Sequence, residues 1–138
     1  MLTLEEANRL IAAALKYAGE HWYRVSMSIC DASGYPIAHQ RMDGALPLSS
    51  RYSIAKAVTS AGFGIPSEKA PTADVRTSSI GLAVGTGMPL SQLAGGIPLI
   101  KNGEMAGGIG VGGSPSREED EDCARYAVKT AGFSATPK

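Results

Sequence analysis

His39, Arg41 and Asp43 occupy alternate positions along one short stretch of chain. On an extended backbone alternate side chains share a face. An imidazole and a guanidinium then stand side by side, with a carboxylate at the turn that follows. Such a group can bind an anion or move a proton. The alternative is an ordinary polar strand face turned to solvent.

Lys56 lies inside the apolar-rich segment Ile54-Ala55-Lys56-Ala57-Val58. It either runs along a helix surface to reach water or enters a pocket and meets a ligand carboxylate. Thr59, three residues on, shares roughly that side of a helix. His21 falls at the end of the first helical segment, where a cation complements the helix dipole. No serine sits at a nucleophile elbow, so the sequence supports no Ser/His/Asp triad. Two histidines without a spacing motif do not make a metal site.

The run Gly107-Gly108-Ile109-Gly110-Val111-Gly112-Gly113 invites a nucleotide reading. A dinucleotide fingerprint belongs on the turn between a parallel strand and its helix, and these glycines run through a strand just after a hairpin. The run is better read as a strand stripped of side chains on one face. Either another element packs closely there, or Gly108 and Gly110 let a ligand approach the backbone.

The elements that must position these groups follow from periodicity. Thr3 and Glu6 form a capping box. Leu4, Ala7, Ile11, Ala14, Leu15 and Ala18 then make one apolar stripe, predicting a helix to about Glu20. From Arg24 the period becomes two: Val25, Met27 and Ile29 alternate with Ser26, Ser28 and Cys30, a half-buried strand. Asp31-Ala32-Ser33-Gly34 is a turn. Tyr35 to Arg41 returns as a second strand, with Ile37, His39 and Arg41 on one face. A second helix follows Pro47, capped by Ser49 or Ser50 and lined by Tyr52, Ala55, Val58, Thr59 and Gly62. It stops near Phe63-Gly64, before Pro66.

Residues 64–94 are weakly patterned. Pro71-Thr72-Ala73-Asp74 could start a short helix, and Gly81 to Leu93 reads as a long loop. Gly95 to Ile100 and Met105 to Gly112 are two more strands, joined through Asn102-Gly103, a strong hairpin signal. A last helix starts at Ser116, with the acidic run Glu118 to Asp122 in its first turns and Cys123, Ala124, Ala127, Val128 and Ala131 as its buried stripe. Two hairpins divided by a helix predict an α+β fold with one antiparallel sheet and helices packed on it.

Composition bounds the rest. The chain has 138 residues, enough for one domain over 1–138 with a real core. Thirteen basic and 13 acidic side chains cancel, which leaves no electrostatic footprint for nucleic acid or an anionic membrane. Low charge favours self-association. The two cysteines, Cys30 and Cys123, have no metal spacing and read as free buried thiols. No signal segment or apolar span is visible, so a cytoplasmic location is expected.

Several of these motifs together resemble one family. They are Arg41-Met42-Asp43-Gly44-Ala45, Ala55-Lys56-Ala57-Val58-Thr59, Gly95-Gly96-Ile97-Pro98-Leu99, Asn102-Gly103-Glu104, and Gly108-Ile109-Gly110-Val111-Gly112-Gly113. The opening Leu2-Thr3-Leu4-Glu5-Glu6-Ala7 and Asp120 fit as well. In this order they resemble the GlcG/HbpS family, which also contains the C-terminal domain of PduO-type corrinoid adenosyltransferases. The usual Ser-Gly-Gly after the last strand is Gly112-Gly113-Ser114 here, and the stretch Pro66 to Leu93 departs from the family pattern.

The resemblance implies a profilin-like fold, a twisted antiparallel sheet with helices on its faces. It also implies homo-oligomers from dimer to octamer, and haem binding or degradation. His21, His39, Cys30 and Met42 are chemically able to ligate haem iron, with His21 the residue assigned to iron. Arg41 or Lys56 would meet the propionates, and Lys56, Thr59, Gly108 and Gly110 would line the cofactor.

Two other readings stay open. One is a small-molecule catabolic enzyme, an isomerase, hydrolase or lyase on an organic acid. There Arg41 or Lys56 would hold the carboxylate and His39 or Asp43 would act as acid or base, with backbone amides of the glycine strand near an oxyanion. The other is a non-catalytic accessory oligomer.

Overall fold

Thr3 accepts a hydrogen bond from the Glu6 amide, and the Glu6 carboxylate accepts one from the Thr3 amide in return. This reciprocal cap, worth about 1 kcal/mol, starts α1 (Leu4–Glu20). In the computed structural model, which describes residues 1–70 and 90–136, α1 is followed by β1 (Ser26–Asp31), β2 (Pro36–Arg41) and α2 (Leu48–Phe63). A 3-10 turn (Ser67–Lys69), β3 (Gly96–Lys101), β4 (Glu104–Gly112) and α3 (Arg117–Thr130) are the remaining elements among the described residues. The helix start at Pro71 and most of the Gly81–Leu93 stretch lie outside the described residues.

The four strands form one antiparallel sheet in the order β2-β1-β4-β3. Both turns follow their local chemistry. The Asp31 side chain accepts from the Ser33 and Tyr35 amides, at 2.9 and 3.0 Å. Asn102 and Gly103 both take positive φ, 54° and 81°, the backbone of a tight two-residue hairpin.

The sheet is covered on both faces. On one face α1 and α3 bury Leu10, Ile11, Ala14, Cys123, Ala127 and Val128 against Met27, Ile29, Ile97, Leu99, Ile109 and Val111. On the other face α2 lies directly on backbone. A Cβ at Gly108 would collide with the Ala57 carbonyl, one at Gly110 with the Ser53 carbonyl, and one at Gly96 with the Lys56 carbonyl. The glycine strand is therefore a floor for a helix, and Gly108 and Gly110 offer no surface to a ligand on that face. β1 is accordingly buried through both faces over Ser26–Cys30, not on one face only as the alternation suggests.

α2 itself corrects two expectations. Its N-cap is Pro47 and no side chain caps it, because the Ser49 and Ser50 hydroxyls are engaged across the sheet instead. Its buried face carries Ser49, Ser53, Lys56, Ala57, Thr59, Ser60 and Ala61, while Tyr52 and Gly62 are exposed. Small and polar residues face inward because a bare-backbone sheet leaves no room for large apolar ones. Among the described residues, no helix is long and apolar enough to cross a membrane.

Candidate functional site

β1 and β2 pair so that Ser26 faces Arg41 and Ser28 faces His39. Paired residues share a face, so His39 and Arg41 both stand on the α2 side of the sheet, and the first turn of α2 lies beside His39. The Ser28 Oγ lies 2.6 Å from His39 Nδ1 and 2.8 Å from the Ser53 Oγ. Ser53 donates to the Ser50 carbonyl at 2.8 Å. The Ser50 Oγ lies 3.2 Å from His39 Nε2 and 3.3 Å from the Ser26 Oγ, which in turn is 2.7 Å from the Ser49 Oγ.

Each hydroxyl has one proton to give, and this fixes the direction of every bond. Ser53 spends its proton on a carbonyl, which can only accept. Ser28 must then donate to Ser53, and His39 Nδ1–H must donate to Ser28. In a neutral ring Nε2 is the acceptor, and Ser50 donates to it. Burial, with Arg41 nearby, holds the His39 pKa below its ordinary value of 6.5, in keeping with that neutral ring. Beside His39 and Ser28 a cavity of about 110 Å³ opens among Cys30, Pro36, Ile54 and Val58.

Lys56 is engaged elsewhere. It is 2% exposed, and its Nζ donates to the Val111 carbonyl and to Asp120 Oδ2, both at 2.9 Å. The other oxygen of Asp120 accepts from the Ser114 amide at 2.9 Å. Lys56 thus meets a carboxylate in a pocket, but the carboxylate belongs to α3. The pair forms one wall of a cavity of about 580 Å³ whose other walls include Leu46, Tyr52, Leu93 and Arg117. Thr59 is buried, donating to the Ala55 carbonyl and accepting from the Ser91 amide. Asp43 is exposed on the turn after β2, and among the described residues neither it nor Arg41 forms an ion pair.

His21 stands apart, at the C-terminus of α1 on the opposite face of the sheet. Its Nδ1 lies 2.7 Å from the Tyr17 carbonyl. A carbonyl only accepts, so Nδ1 carries the proton and Nε2 keeps a free lone pair when the ring is neutral. The ring stacks on Tyr17 with centroids 3.9 Å apart, and Tyr23 lies 5.5 Å away. The next residue, Trp22, is 89% exposed at φ 61°, a backbone conformation a bulky side chain rarely adopts.

The residues expected to act together therefore separate into three places. His39 and Arg41 share the serine seam, Lys56 and Thr59 lie in and beside the ion-pair wall, and His21 crowns the aromatic cluster. Sequence alone assigns the five serines of the seam no functional role, only a place on a strand face for Ser26 and Ser28 and a helix cap for Ser49 or Ser50. Their signal is the pairing of two periods: Ser26 and Ser28 alternate on a strand, while Ser49, Ser50 and Ser53 repeat on a helix.

A family model for haem-degrading HbpS-like proteins matches residues 2–129. The chain belongs to the HbpS-like family. GlcG of Escherichia coli K12 is 30% identical over 111 residues, covering 80% of this chain and 81% of GlcG. The crystal structure of a PduOC:haem complex superposes with a TM-score of 0.87 at 26% identity, covering 98% of each chain. Streptomyces reticuli HbpS, solved as a double mutant, superposes with a TM-score of 0.81 at 30% identity, covering 95% of this chain and 87% of its own. The HbpS-like fold is α+β, as the element order implies.

Proposed function

We propose that this protein binds haem and that His21 supplies the axial ligand to iron. The observation that carries the reading is the orientation of His21. The Tyr17 carbonyl takes the Nδ1 proton and leaves Nε2 as a free donor at the surface. A histidine that ligates a metal commonly gives its other ring proton to such an oxygen, which fixes the tautomer and raises basicity.

The surroundings fit a flat apolar cofactor. Tyr17, Tyr23 and the exposed Trp22 offer aromatic surface beside His21. A bulky residue held in a strained conformation and in water points to a functional constraint. His39 does not compete for iron, because both its nitrogens are bonded to serines. Nor does Lys56 reach the same haem, since it is paired with Asp120 under the opposite face. Arg41 is turned away from that haem as well, since it stands with His39 on the α2 side of the sheet. A PduOC relative solved with haem supports the reading. Bound haem would supply iron redox and ligand chemistry, and this chain would hold and orient it.

Hemin titration of the purified protein tests this by absorbance. The wild type and His39→Ala should give a sharp Soret band that saturates at a fixed ratio, and His21→Ala should lose it. A weak, unsaturating change common to all three proteins would overturn the proposal.

A further inference from the structure

We propose that Ser50 is a nucleophile activated by His39 and positioned through Ser28, and that the seam between β2 and α2 hydrolyses esters of short apolar acids. The site is separate from His21, and its chemistry does not depend on haem.

The three parts of an activated nucleophile are a hydroxyl, a base within hydrogen-bond reach, and a group that orients the base. Ser50 Oγ lies 3.2 Å from His39 Nε2, and His39 Nδ1 lies 2.6 Å from the Ser28 Oγ. The proton count assigns the tautomer that this role requires: Nε2 accepts from Ser50 while Nδ1–H is held by Ser28. Ser28 keeps that direction because Ser53 takes its proton and passes its own to the Ser50 carbonyl. The chain of bonds leaves Ser50 and returns to Ser50, so the imidazole is fixed relative to the hydroxyl it would deprotonate. Such constellations are recognised by geometry and roles rather than by sequence position.

The seam is also accessible. His39 is exposed and Ser50 half-buried, unlike Ser26, Ser28, Ser49 and Ser53, which are buried. The cavity of about 110 Å³ that His39 and Ser28 line is otherwise walled by Cys30, Pro36, Ile54 and Val58. Since a water's share of liquid volume is about 30 Å³, the cavity holds a short acyl chain and little more. Apolar walls beside the base, His39, and its partner Ser28 define the substrate class.

In the reaction, the Ser50 oxygen forms a bond to the ester carbonyl carbon as its proton passes to His39 Nε2. The carbonyl electron pair moves to oxygen and then returns, breaking the bond to the alkoxide, which leaves with the proton from Nε2. A water repeats the sequence on the acyl-serine: its proton goes to Nε2, its oxygen bonds to carbon, and the Ser50 oxygen departs with the proton. The sum is ester plus water giving acid plus alcohol.

The test is covalent labelling with an alkyl fluorophosphonate, read by peptide mass spectrometry, together with release of p-nitrophenol from p-nitrophenyl butyrate. Labelling should fall on Ser50. His39→Gln can still donate to Ser28 but cannot take up the Ser50 proton, so it should keep the wild-type melting temperature and slow labelling by about a hundredfold or more. In Ser50→Ala the label and the p-nitrophenol burst should both disappear. For Ser28→Ala, a ¹H–¹⁵N spectrum of the imidazole should show loss of the single Nδ1–H tautomer along with slower labelling. Absence of labelling in the folded wild type, labelling at another residue, or a rate unchanged in His39→Gln would each overturn the proposal and leave the seam a packing device.

Discussion

Lys56 and Asp120 face each other at 2.9 Å, both almost wholly buried from water. Two charges taken out of water repay the cost only when every remaining donor and acceptor is placed. Here the Val111 carbonyl and the Ser114 amide each add one backbone bond, to Lys56 and to Asp120. Removing one partner leaves the other buried and alone. Asp120→Ala is therefore expected to cost about 3–5 kcal/mol in urea unfolding, whereas Lys56→Met with Asp120→Leu should recover much of that loss.

His39 gives a second expectation at this scale. Ser28 faces it from β1, Ser50 from α2, and Arg41 lies along β2. Its folded pKa lies below 6.5 because burial, and then Arg41, disfavour the charged ring. The folded state thus binds fewer protons than the unfolded chain in mild acid. The stabilisation is complete above the ordinary value of 6.5 and is lost as pH falls through the lower folded value. Melting temperatures recorded across that window should drop more steeply for wild type than for His39→Gln.

The elements differ in how closely backbone meets backbone. α2 rests on β4 and β3 with no side chain between, at Gly108, Gly110 and Gly96. Gly110→Ala would push a Cβ into the Ser53 carbonyl, a rigid neighbour, and should cost about 1–3 kcal/mol or more as α2 lifts. Gly19, inside α1, has open space around its Cβ position. Gly19→Ala should instead stabilise by about 0.5–1 kcal/mol. The pair of variants measured by urea titration separates a packing glycine from a merely permissive one.

The same contrast explains what the sequence could tell. The caps at Thr3 and Ser116, the Asn102-Gly103 turn and the apolar stripe of α3 are local signals, and they read correctly. The α1 stripe did so only in part, since Leu4 is 60% exposed and the buried Leu10 lies outside the expected stripe. The buried face of α2 did not, because its partner is glycine backbone and the usual apolar stripe is replaced by serines and alanines. The serine seam was hidden for a related reason. Its members come from three elements, and only the sheet register shows that Ser28 meets His39. Lys56 was legible as a residue seeking a carboxylate, but its partner lies 64 positions away.

Over the whole molecule, two cores sit back to back on one sheet, each with its own thiol. Cys123 lies in the α1–α3 core and Cys30 beneath α2. Burial pushes their pKa values up to about 12 and about 11, so little reactive thiolate forms at neutral pH. Ellman's reagent should modify neither in the native protein. In increasing urea, each thiol should report the opening of its own layer.

The strand order has a consequence for how the molecule is assembled. Each hairpin closes within its own stretch of chain, but the central pairing of β1 with β4 brings together Met27 and Val111. Neither half of the sequence owns a finished sheet. A chain severed between residues 70 and 90 would yield two pieces, each a hairpin with one bare inner edge that only the other piece fits. Such halves would find each other as complementary fragments, and binding and folding would be a single event.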